Sequence, residues 1–86
     1  MKENSINLEI QKIVTLYKKQ NFKKALLEAK LIKSKYQQLE NSNFYFNLVG
    51  LINLAIKDRE NSIYFFNKAI KSDPKILDPY FNLGIA

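Results

Sequence analysis

The sequence predicts an all-α protein made of antiparallel helix-turn-helix repeats, stacked as a short right-handed solenoid of about five helices. Three observations carry that prediction. Gly50 and Gly84 stand 34 residues apart, each inside an aromatic-rich apolar stretch: Phe44-Tyr45-Phe46-Asn47-Leu48-Val49-Gly50 and Asp78-Pro79-Tyr80-Phe81-Asn82-Leu83-Gly84. A fixed period of that length marks stacked helical repeats. Two Gly and two Pro in 86 residues are too few for a turn-rich β fold. Apolar residues also recur at three- and four-residue intervals, the spacing of one helix face.

Five helices follow in order. The first is predicted from about Ile6 to Gln20, with Asn4 or Ser5 as N-cap and Ile6, Ile10, Ile13, Val14 and Tyr17 along one stripe. Gln20-Asn21 breaks the pattern, Asn being tolerant of the left-handed conformation that ends helices. The second covers about Phe22 to Leu39, with Phe22, Ala25, Leu26, Ala29, Ile32, Tyr36 and Leu39 apolar and lysines filling much of the rest. So tight a turn makes the two helices antiparallel. Asn41-Ser42-Asn43 offers N-cap chemistry for a third helix, about Phe44 to Ile56, which is apolar on nearly every side. Asp58 caps a fourth, about Arg59 to Lys71, whose stripe is Ile63, Phe66, Ala69 and Ile70. Asp73-Pro74 ends it, because the proline ring disfavours helix at the residue before it. Asp78-Pro79 opens a fifth helix that stops in mid-pattern at Ala86. The chain thus reads as the N-terminal piece of a longer protein, or as a natural remnant of one.

Composition narrows the chemistry. There is no Cys and no His, so thiolate or imidazole ligands and nucleophile–base pairs are missing. The eight carboxylates sit mostly at helix starts or on polar faces, where capping accounts for them. Catalysis, a metal and a cofactor are accordingly not expected. Neither glycine belongs to a phosphate-binding loop. No apolar signal core or run of 18 apolar residues appears, so a soluble cytoplasmic protein without membrane association is expected. Residues 1–40 hold nine lysines against four acids, net +5, and residues 41–86 five basic residues against four acids, net +1. Thirteen of the fourteen basic residues are Lys rather than Arg, which disfavours specific nucleic-acid recognition but leaves an acidic partner open.

The residues in register resemble the tetratricopeptide repeat family. Residues 43–76 match best: Phe46 at the large aromatic, Val49-Gly50 at Leu-Gly, Ser62 at a small position, and Phe66, Ala69 and Pro74 at the aromatic, Ala and Pro positions. Asn53 departs from the family's aromatic. Residues 6–39 form a divergent repeat, in which Ile13 takes the place of the Gly and Ala25 precedes Ser62 by 37 residues rather than 34. Residues 77–86 are the first helix of an incomplete repeat. Small residues at Gly50 and Ser62 let helices approach closely while Phe46 and Phe66 fill the flanks.

The resemblance implies a scaffold that presents a concave groove to a peptide or partner protein. By helix phase the groove positions are Asn7, Gln11, Val14 and Lys18, then Phe44, Asn47, Leu48 and Leu51, then Asp78, Phe81 and Asn82. Asn47 and Asn82 could read a peptide backbone, since an amide both donates and accepts. Ile10, Val14 and Leu48 stand where the chaperone-binding subclass has its carboxylate clamp, which excludes that ligand. An alternative implied by the same resemblance is a substrate-selecting repeat region ahead of a bacterial O-linked N-acetylglucosamine transferase-like or sulfotransferase domain. A third is a Lys-rich module for nucleic acid or an acidic partner. An uncovered fifth helix would favour end-to-end self-association.

Overall fold

A computed structural model describes residues 2–37, 39 and 42–72, and it is helical throughout, with no strand among them. The elements are α1 (Lys2–Lys18), α2 (Phe22–Lys35), α3 (Asn43–Ala55) and α4 (Arg59–Ser72). The chain divides into two compact units, residues 1–40 and residues 41–86; α1 packs on α2 in the first, and α3 on α4 in the second. The predicted fifth helix from Pro79, with Gly84, lies outside the described residues, as does the Asp73-Pro74 stop.

Each unit is a helical hairpin closed by the same turn. In the first, Gln20 N–H donates to Tyr17 O and Asn21 N–H to Leu16 O, at 3.0 and 2.9 Å. In the second, Lys57 N–H donates to Leu54 O and Asp58 N–H to Asn53 O, at 3.0 and 2.8 Å. These paired bonds are the Schellman arrangement, which satisfies carbonyls that the helix end leaves open. It requires one left-handed residue, and Gln20 (φ 64°) and Lys57 (φ 66°) supply it. Gln20 rather than Asn21 therefore turns the chain. Lys19 N–H to Thr15 O and Ala25 N–H to Asn21 O complete the first set, matched by Ile56 to Ile52 and Ser62 to Asp58. Every donor and acceptor is displaced by the same 37 positions that separate Ala25 from Ser62.

Helix ends depart from the sequence reading in three places. The first helix already includes Lys2, so Asn4 and Ser5 lie within it rather than capping it. The second stops at Lys35, because Tyr36 leaves the helical region (φ −129°, ψ 108°) while its N–H still reaches Ile32 O. No breaker residue marks that stop in the sequence. The third starts one residue early, at Asn43, with Ser42 Oγ accepting from Tyr45 N–H at 3.2 Å. The fourth is capped as predicted: Asp58 Oδ1 accepts from Asn61 N–H at 3.3 Å, and Oδ2 accepts from the Asn61 amide at 2.7 Å.

Side-chain size fits each hairpin together. In the first, Ile6, Ile10, Ile13, Ala25, Ala29 and Ile32 are buried, and Tyr17 meets Phe22 edge-on across the turn, with centroids 5.5 Å apart. In the second, Phe46, Val49, Gly50, Ile52, Ser62, Phe66 and Ala69 are buried. A Cβ on Gly50 would collide with three carbons of the Phe66 ring, all within 3.0 Å. Gly50 thus makes room for a side chain. Asn43 Nδ2 donates to Ala69 O at 2.7 Å, tying the start of α3 to the end of α4. Asn53 is buried, and its Nδ2 donates to Val49 O at 2.9 Å, so the amide is satisfied within its own helix. Burial pushes the Tyr45 hydroxyl up to about 12.

Candidate interaction surfaces

The positions assigned to a groove divide between the two hairpins. On α3, Phe44 is 56% exposed, and Asn47, Leu51 and Leu54 follow it half-buried at helical intervals. They form a narrow stripe of three apolar side chains and one amide. Leu48 lies outside that stripe. At 5% exposure it belongs to the core, because α3 is apolar on so many sides that most of its surface is covered. On α1, Asn7, Gln11 and Lys18 are exposed and Val14 is half-buried, so that face is polar. Phe81, Asn82 and Asp78 lie outside the described residues.

A second surface was not anticipated from the sequence. Between α1 and α2 lies a depression of about 350 Å³ floored by Ile13 and Ile32, with Leu31 at its edge and Glu9, Lys12, Glu28 and Lys35 around the rim. Lys35 Nζ donates to Glu9 Oε1 at 3.0 Å. The nearby Tyr36 hydroxyl first, and the Lys35 ammonium second, hold the Glu9 carboxyl below its usual range. Glu9 in turn raises both Lys35 and Tyr36. The rim carries two acids and two lysines, which leaves it neutral while its floor is apolar.

The 37-residue offset explains why this depression is open. Glu9, Glu28 and Leu31 correspond to Phe46, Phe65 and Lys68. In the second hairpin Phe46 and Phe65 stack with centroids 6.3 Å apart, and Lys68 Nζ lies 5.0 Å from the Phe46 ring and 5.3 Å from that of Tyr64. Two glutamates thus replace the ring pair that fills the equivalent place. Aligning the halves of the sequence at that offset would have exposed the exchange.

Among the described residues no three potential metal-ligating side chains gather, and no helix is long and apolar enough to cross a membrane. Comparison with known proteins adds no relative. No family model, curated protein or solved structure matches the chain.

Proposed function

We propose that this chain is a non-catalytic protein-interaction scaffold of tetratricopeptide-like helical hairpins, and that the α3 face receives a peptide or partner protein. The observation that carries this reading is the turn repeated bond for bond at Gln20 and Lys57. A chain that uses one hairpin twice is built as a repeat, and repeats work by presenting surface along their length. Phe44, Asn47 and Leu51 supply the contact: an exposed ring as anchor, an amide for backbone, and a leucine one turn on.

Selection of displayed peptides on the intact chain tests the reading. Selected peptides should lose about tenfold in affinity, equivalent to about 1.4 kcal/mol, on Phe44→Glu. They should be indifferent to Glu60→Lys, an exposed change on α4. Failure to select any peptide, or selected peptides that ignore Phe44→Glu, overturns it.

A further inference from the structure

We infer that the depression between α1 and α2 takes an aromatic side chain delivered by an acidic peptide segment of a partner protein. Shape identifies the side chain. At the equivalent place in the second hairpin the protein stacks its own Phe46 and Phe65, whereas the first hairpin leaves about 350 Å³ over Ile13 and Ile32. A flat ring fits between the rim groups above Ile13 and Ile32, which are already buried, and takes its apolar contact from Leu31, which is 55% exposed.

Charge identifies the rest of the segment. Leu31, at the edge of the depression, is 55% exposed, and Leu27, one turn earlier on α2, is 58% exposed. Exposed lysines border this leucine pair on both sides, Lys23 and Lys30 along one flank and Lys24 and Lys35 along the other, by the angular spacing of the helix. Over Phe22–Lys35 there are five lysines and one glutamate. An apolar centre within a basic border complements a segment whose aromatic and aliphatic anchors lie among carboxylates. The surface is too small for a lipid bilayer, since two leucines do not make the broad apolar face of an interfacial helix.

This inference concerns the first hairpin and does not depend on the α3 face, so Phe44→Glu should leave it untouched. The probe is a short labelled peptide with one phenylalanine among aspartates and glutamates, followed by fluorescence anisotropy with the full chain. Replacing its phenylalanine by alanine, or its acids by lysines, should each weaken binding about tenfold or more. Methyl resonances of Ile13, Leu31 and Ile32 should move on addition of the peptide. Leu31→Glu should abolish binding, and Lys24→Glu with Lys30→Glu should weaken it, all at exposed positions where circular dichroism should stay unchanged. Equal binding of the phenylalanine and alanine peptides, or of the acidic and basic ones, overturns the inference. So does binding that survives Leu31→Glu in a folded chain. Binding of phosphatidylserine vesicles without binding of the peptide assigns the face to a membrane instead. A dimer that Leu31→Glu dissociates assigns it to a second copy. Either result is also a refutation.

Discussion

Gly50 and Phe66 form a matched pair, one residue with no side chain under a ring that needs the space. The positions 37 residues earlier are Ile13 and Ala29, each 1% exposed, so the first hairpin puts the large residue on the first helix and the small one on the second. Both solutions fill a comparable volume, which is what close packing demands. Gly50→Ala should therefore destabilise the protein by about 1–3 kcal/mol in urea denaturation, since the new methyl collides with the ring. The transplanted pair, Gly50→Ile with Phe66→Ala, should cost less than the sum of its single changes, because each relieves the strain or void of the other. Additive costs in that double-mutant cycle would show that the two positions are not exchanged partners. The sequence already marked Gly50 as a close-approach position and Ile13 as its replacement. It did not show that a phenyl ring, rather than a backbone, fills the gap, because periodicity locates a face but not the atoms opposite it.

Helices were the most legible elements. Four of the predicted helices stand where apolar spacing put them, and the caps at Ser42 and Asp58 are made by side chains with the predicted chemistry, whereas Asn4 and Ser5 cap nothing. The ends that escaped prediction lack a local cause. Tyr36 leaves the helix just after Lys35, which bonds Glu9 from the other helix, a contact between residues far apart in sequence. The same limit hid the depression, whose lining comes from two helices. Asn21 and Asp58 are equivalent in position but not in use: Asp58 accepts from Asn61 N–H, whereas the Asn21 side chain makes no capping bond. Asp58→Ala should thus cost about 1 kcal/mol by thermal or urea unfolding, and Asn21→Ala distinctly less. Equal losses would mean that the cap bond carries none of the difference.

The described residues form two hairpins of one design that differ in what they place at equivalent spots. The first carries most of the excess positive charge, with net +5 over residues 1–40, and a charged rim around an apolar floor. The second fills that place with stacked rings and is more apolar along α3. Charge asymmetry was legible from composition, and the 37-residue offset of the two hairpins from Ala25 and Ser62, whereas the 34-residue glycine period runs to Gly84, outside the described residues. The exchange of rings for glutamates is readable in the sequence only once the two halves are aligned at the 37-residue offset that the turns share. Those turns also give the molecule a built-in thermometer. Gln20 and Lys57 each hold a backbone shape that costs an ordinary L-residue about 1 kcal/mol and a glycine almost nothing. Gln20→Gly and Lys57→Gly should each raise the melting temperature by a few degrees. Equal gains would mark a single cooperative melt; a gain from one alone would reveal which half lets go first.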